Sequence, residues 1–281
     1  MSAVVHSGAA RIRGTGAIAL GVWYALVVVF LFAPISVSIV YSFNVGTLGK
    51  QTALFTGWTA EWYAAAWNNL PLRHTVQTSL VVAFWSAVTS VIIGTALGFA
   101  LVRHPSARIR GALSALTYLL LIVPETVTGV SLLLFYAVTG IHLSLWTLVA
   151  GITPLAISVT ALMVRTGVLT LDRRLEEASA DLGGSRWQTI RFVILPHLAP
   201  AVAAGALMAY VFSFDNLVVA SFLTTPVVNT LQVYLYGSLQ YGPSPAIYAA
   251  ATAVFLFTIA LLTLAGLLYL VVRRRAGAAA T

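Results

Sequence analysis

Two acidic side chains, Glu125 and Asp215, lie inside long apolar stretches of this sequence. A charge at a bilayer centre costs about 2.5–3.5 kcal/mol on insertion scales, so such residues face protein or a water-filled path. Glu125 follows Pro124, whose missing N–H opens a helix locally. Asp215 follows Phe212, Ser213 and Phe214, and aromatic faces beside a carboxylate suit an alkylammonium cation. Asp215, Glu125, Phe214 and Phe212 are therefore the candidate lining of a path for a small cationic solute. The competing reading pairs each acid with a polar neighbour or sets it near the outer interface.

Other chemistry finds little support. His6, His74, His104, His142 and His197 are scattered, and there is no cysteine. H-E-x-x-H, G-x-S-x-G and metal-ligand clusters are missing, so no enzyme, metal or cofactor is expected. The only lysine, Lys50, follows Gly49 but precedes Gln51, and Asn44 stands where a Walker glycine is needed. ATP hydrolysis, if any, falls to a partner.

The elements that must position these residues are membrane helices. The chain is 60% apolar and 8% charged over 281 residues, far from the composition of a soluble domain. Six stretches are long enough to cross a bilayer: Ala17–Tyr41, Val76–Val102, Leu113–Val138, Leu143–Val164, Leu198–Leu223 and Ile247–Val272. Backbone in hydrocarbon must satisfy its own hydrogen bonds, so the expected fold is all-α and polytopic, with six transmembrane helices. Residues 1–16 form an N-terminal tail, 17–272 the membrane domain and 273–281 a C-terminal tail. The first stretch follows Arg11 and Arg13 like a signal peptide, but its apolar run is longer and it lacks a cleavage site, which favours an uncleaved helix.

Basic residues orient the spans. With both termini in the cytoplasm, thirteen of the fifteen basic residues fall inside, and only Lys50 and Arg73 fall outside. The inverted arrangement reverses that split. The net charge of +8 thus sets orientation, and no folded basic face for nucleic acid exists. Outside, Trp58, Trp62 and Trp67 fit a short interfacial helix. LQVYLYGSL fits a second short helix, and Gly94-x-x-x-Gly98 permits a close helix approach.

The polar loop over 169–197 holds Asp172, Glu176, Glu177 and Asp181, four of the seven acids. It predicts two helices around a bend. Leu171, Leu175, Ala178 and Leu182 share one helical face, with Asp172 as N-cap. Gly183 and Gly184 stop the first helix, and Ser185 with Gln188 have capping-box spacing for the second. A short amphipathic helix of this kind either docks in a groove of another protein or rests on lipid headgroups.

The segment Glu177-Ala178-Ser179-x-x-x-Gly183, then Val193-x-Leu195-Pro196, resembles the EAA loop of ATP-binding-cassette (ABC) importer permeases. Ser179 replaces an alanine and Val193 an isoleucine. LEEASADLGGSRWQTIRFVILPHLAPAVAAG, FSFDN, TLQVYLYGSLQYGPSPAIYA, GWTAEWYAAAW and IVPETVTGVSLLLF are similar to the second permease of spermidine/putrescine importers. Asn216 departs from that pattern, since many relatives carry a second acid there.

The resemblance implies a type I importer permease fold in a bacterial inner membrane. It implies a second, different permease subunit, a cytoplasmic ATPase dimer and an extracytoplasmic solute-binding protein. It also implies ATPase coupling through Leu175, Glu176, Glu177, Ala178, Ser179, Asp181, Leu182 and Gly183. A polyamine is the expected solute. A permease for iron, an anion or an amino-acid-like solute, or a secondary transporter, are the alternatives.

Overall fold

The computed structural model describes residues 15–47, 50–51, 54–240 and 244–278. His6, Arg11, Arg13 and most of the N-terminal tail lie outside the described residues, as do the last three residues. Contacts divide the chain into two compact units, Met1–Asn68 with Gln240–Thr281, and Asn69–Leu239.

In the first unit, α1 (Thr15–Tyr41) is followed by a short helix, α2 (Glu61–Asn68), and the unit closes with α12 (Pro245–Ala278). α1 buries almost nothing: Trp23 is 67% and Phe30 78% exposed, as expected of a helix whose solvent is lipid. Between α1 and α2, the fully buried Asn44 organises the connection. Its Oδ1 accepts the Thr56 N–H at 2.7 Å and its backbone carbonyl accepts the Trp62 indole N–H at 2.8 Å. The helix expected over Trp58, Trp62 and Trp67 is α2, which carries Trp62 and Trp67 but begins after Trp58.

The second unit holds α3 (Leu70–Arg103), α4 (Ala107–Ile122), α5 (Glu125–Thr139) and α6 (Leu145–Thr170). It continues with α7 (Arg174–Asp181), α8 (Arg186–Gln188), a π-helical turn (Thr189–Ile194) and α9 (Leu195–Phe214). α10 (Val218–Leu223) and α11 (Leu231–Gln240) complete it. Its trunk is α3 packed on α6 and α9. Lipid offers no hydrophobic drive between helices, so contact depends on close backbone approach and on polar links. A Cβ on Gly94 would lie 2.8 Å from Thr160, and one on Gly98 would lie 2.6 Å from the Ala161 carbonyl oxygen. Thr160 Oγ1 donates to the Gly205 carbonyl at 3.2 Å, and Thr153 Oγ1 to Ser86 Oγ at 3.2 Å. Val164, Val168, Leu171, Ile194 and Leu198 close one end of the trunk.

All six expected apolar stretches are helical, but two are not single helices. Leu113–Val138 is α4 and α5, bent by 96° between Ile122 and Glu125. Val123 is extended (φ −60°, ψ 125°), the conformation that a following proline imposes. Leu198–Leu223 also breaks. The helix that contains its first part starts earlier, at Arg186, ends at Phe214 and is followed by the separate α10. Four described helices are long and apolar enough to span, or five if the bent pair counts as one span. The described apolar part of α12, Pro245–Ala260, is shorter, and its helix runs through the expected C-terminal tail as far as Ala278.

Gly98→Val should wedge α3 away from α6, because the Ala161 backbone cannot move aside like a flexible side chain. We expect a loss of about 1–3 kcal/mol, seen as a lower melting temperature of the detergent-solubilised protein. An unchanged melting temperature would contradict the close contact.

Candidate functional site

The polar loop is pinned at its base. Arg103, at the end of α3, forms an ion pair with Glu176 of α7 at 3.0 Å, with side chains 11% and 31% exposed. The same guanidinium donates to the Leu171 carbonyl at 2.9 Å. One arginine thus holds both the end of α6 and the start of α7. The Asp172 carboxylate accepts the Arg174 N–H at 3.0 Å, but Arg173 occupies the N-cap position. The expected Asp172 cap is therefore displaced by one residue, because Leu171 is extended as the C-cap of α6 and the turn forms after it.

The glycine stop forms as a Schellman turn. Gly183 has φ +79°, its N–H reaches the Ala180 carbonyl at 2.9 Å, and the Gly184 N–H reaches the Ser179 carbonyl at 2.9 Å. The capping box at Ser185 and Gln188 is present in both directions. Ser179 Oγ and Thr189 Oγ1, 2.9 Å apart, tie α7 to the π turn.

Leu171 does not belong to the apolar stripe. It is buried beside Val168 and Ile194, because the chain turns before α7 begins. The rest of the stripe faces outward. Leu175 is 37% exposed, Leu182 89%, and Ala178 is exposed as well. Glu177 and Asp181 are exposed near them, while Glu176 and Ser179 face the body. A cavity of about 560 Å³ lies on that inner side, lined among others by Phe99, Arg103, Arg173, Glu176, Arg186 and Ile194.

Both acids of the apolar stretches sit at helix breaks. Glu125 is the first residue of α5, and Asp215 is the C-cap of α9. Asp215 is exposed and Glu125 half-buried. They are brought into one region by the residue next to Asp215: Asn216 Nδ2 donates to Glu125 Oε2 at 3.0 Å. Phe214 stacks on Tyr210 with ring centres 6.3 Å apart, and Phe212 is 42% exposed. Among the described residues, no three His, Asp or Glu side chains are grouped to hold a metal ion.

Sequence reasoning missed Arg103, Thr189, Tyr210 and the role of Asn216. Tyr210 carried a signal, since an aromatic four residues before Phe214 shares its helix face. Arg103 carried none, because its partners are remote in sequence.

Comparison with known proteins gives a consistent result. Residues 90–277 match the family described as binding-protein-dependent transport system inner membrane component. The spermidine/putrescine transport system permease protein PotC of Escherichia coli is 31% identical over 87% of this chain and 91% of its own. The putrescine transport system permease protein PotI of the same organism is 30% identical over 80% of this chain and 81% of its own. A molybdate/tungstate transport system permease protein of Thermococcus kodakarensis is 27% identical over 66% and 75%. A chain of the bacterial ABC transporter that imports the acidic polysaccharide alginate superposes with a TM-score of 0.69. It covers 92% of this chain and 99% of its own at 16% identity, which is a likeness of fold.

Arg103→Leu should release the loop while leaving α3 helical. The ion pair is partly exposed, so its loss is worth about 1 kcal/mol or less, and the bond to Leu171 goes with it. Limited trypsin digestion after Arg173 and Arg174 should accelerate severalfold. Unchanged cleavage would show that the arginine does not hold the loop.

Proposed function

The chain belongs to the family of inner membrane components of binding-protein-dependent transport systems, and we propose that the solute it passes is a polyamine such as spermidine or putrescine. As a member, it is a multi-pass permease subunit of an ABC importer and a transport component rather than an enzyme. Such a permease works with a second permease, an ATPase and a solute-binding protein. The observation that carries the polyamine reading is the 30–31% identity to PotC and PotI over at least four fifths of the chain. An exposed carboxylate at a helix break supports it chemically. Asp215 offers a polyamine one negative site that is partly wet, and a weak site of that kind lets the solute leave as well as arrive. Glu125, Phe212 and Phe214 belong to the same path. The partner permease is a different chain, and the two together enclose the route.

The loop over 169–197 couples the permease to its ATPase. Leu175, Ala178 and Leu182 present an apolar stripe left uncovered by the described residues, flanked by Glu177 and Asp181. A cleft on the ATPase is its counterpart. Glu176 and Ser179 serve from behind, through Arg103 and Thr189, and Gly183 supplies the turn. Both termini are cytoplasmic in this arrangement.

Two experiments test the reading. In proteoliposomes with the partner subunits and the binding protein, ATP should drive uptake of labelled putrescine or spermidine. Asp215→Asn should lower uptake at limiting substrate by about tenfold, equivalent to about 1.4 kcal/mol. Glu177→Ala and Gly183→Val should reduce ATPase co-purification or coupling, the second because a Cβ at positive φ costs about 1 kcal/mol or more. Wild-type uptake in Asp215→Asn removes the carboxylate from the path, and wild-type coupling in both loop variants removes the loop from the interface.

For orientation, single cysteines are placed in this cysteine-free chain. Those at Lys50 and Gln240 should react with an impermeant maleimide on intact cells, and those at Ser106 and Ser179 should not. The opposite labelling pattern would invert the topology.

A further inference from the structure

Asn216 is 6% exposed and has three partners. Its Oδ1 accepts the N–H groups of Val219 at 3.1 Å and Ala220 at 3.4 Å, capping α10. That fixes the amide, because only its oxygen can accept. Its Nδ2 therefore points the other way and donates to Glu125 Oε2 at 3.0 Å. The bond joins the break before α5 to the break before α10. One turn farther along α5, a Cβ on Gly129 would come within 2.5 Å of the Phe222 ring of α10. The two short helices thus touch along their length and are tied at their starts.

We propose that the Asn216–Glu125 hydrogen bond is a latch between the broken third and fifth apolar segments, opened by the cation in transit. The proposal rests on Glu125 being a pathway carboxylate. An alkylammonium arriving at Glu125 brings a full charge, and so a Coulomb attraction that the neutral amide lacks. It displaces the amide N–H from the carboxylate. Asn216 then still caps α10 through Oδ1, so α5 is released while α10 stays formed. Asn216 is a positioning residue, and its amide occupies the place an ammonium takes.

The test uses the complete transporter in lipid nanodiscs and compares ATP hydrolysis without and with binding protein loaded with putrescine. Asn216→Asp keeps the cap, removes the donor and sets a second carboxylate against Glu125. Basal hydrolysis should rise about tenfold, the scale of one lost hydrogen bond to a charged group, and the stimulation ratio should fall towards one. The exchanged pair, Glu125→Gln with Asn216→Asp, places the amide on α5 and the carboxylate beside α10. The donor and the acceptor have then changed sides, the bond can form again, and most of the ratio should be recovered.

A role for Asn216 in capping alone predicts no fall in Asn216→Asp, since aspartate caps α10 in both variants. An exchanged pair no better than Asn216→Asp overturns the latch, as does a wild-type ratio in Asn216→Asp. If Asn216→Asp does not assemble, Glu125→Ala, which leaves the cap untouched, must show the same fall, and a wild-type ratio there overturns the proposal. A wild-type complex that neither putrescine-loaded nor spermidine-loaded binding protein stimulates would instead contradict the polyamine reading. The change in basal hydrolysis would still report on the latch.

Discussion

A backbone break in hydrocarbon leaves N–H and C=O groups that water cannot satisfy, and the placement of the polar residues follows from how this chain meets that demand. At the first break, Pro124 has no N–H to lose. The Val123 N–H still bonds the Leu119 carbonyl at 3.0 Å, and the Thr128 N–H takes up the Pro124 carbonyl at 3.1 Å. At the second, the Asp215 N–H closes α9 on Val211 at 3.0 Å, and the Asn216 side chain takes two N–H groups of α10. Each break needs a proline or a short polar side chain. Those residues bring the carboxylates of Glu125 and Asp215 to the same part of the fold.

The trunk can carry two broken segments because α3, α6 and α9 pack through backbone rather than through bulky side chains. Gly94 and Gly98 of α3 meet α6, and Gly205 of α9 meets Thr160 of α6. Such contacts gain dispersion energy over a long line, and the threonine and serine hydroxyls add links in a medium without water. The broken helices depend on the same economy of volume. Gly129 receives the Phe222 ring, and Gly151 of α6 receives Leu223. A larger residue at either position would push α10 off the helices that hold it.

What the sequence reveals is what local geometry decides. The Schellman glycine, the Ser185–Gln188 box and the close glycines of α3 all follow from spacings of three or four residues. Pro124 marks a local opening but not the 96° bend that follows it, and the second break leaves no mark, because hydropathy averaged over twenty residues passes smoothly across Asp215. That the helix begun at the Ser185 box runs on unbroken into the fifth apolar segment is hidden for the opposite reason. Arg186, Gln188 and Arg191 lower the average although the helix is already formed. Leu171 falls on the stripe by spacing alone, because helical spacing continues across a turn that it cannot see. Arg103 is invisible because its bond to Leu171 spans 68 residues. Asn216 stands out only as a departure from the family pattern, and its place between two breaks needs coordinates.

The loop and the acid site are mechanically one element. From Arg186 to Phe214 the chain is helical without interruption, 29 residues in all. At about 1.5 Å per residue that is a rod roughly 40 Å long. The capping box at Ser185 holds one end, and Asp215 closes the other. A displacement along the axis at the loop is therefore delivered at the second break, where the helix ends and the short α10 begins. Rotation is a different matter, because the six residues of the π turn, Thr189–Ile194, lie next to the loop. Pro196, which has no N–H, follows the turn, and His197 Nδ1 bonds the Val193 carbonyl at 2.6 Å. A wide turn held partly by side chains yields to twist more readily than a regular α-helix. The rod is thus stiff in the direction that links the loop to Asp215 and Asn216, and compliant at the π turn beside the loop.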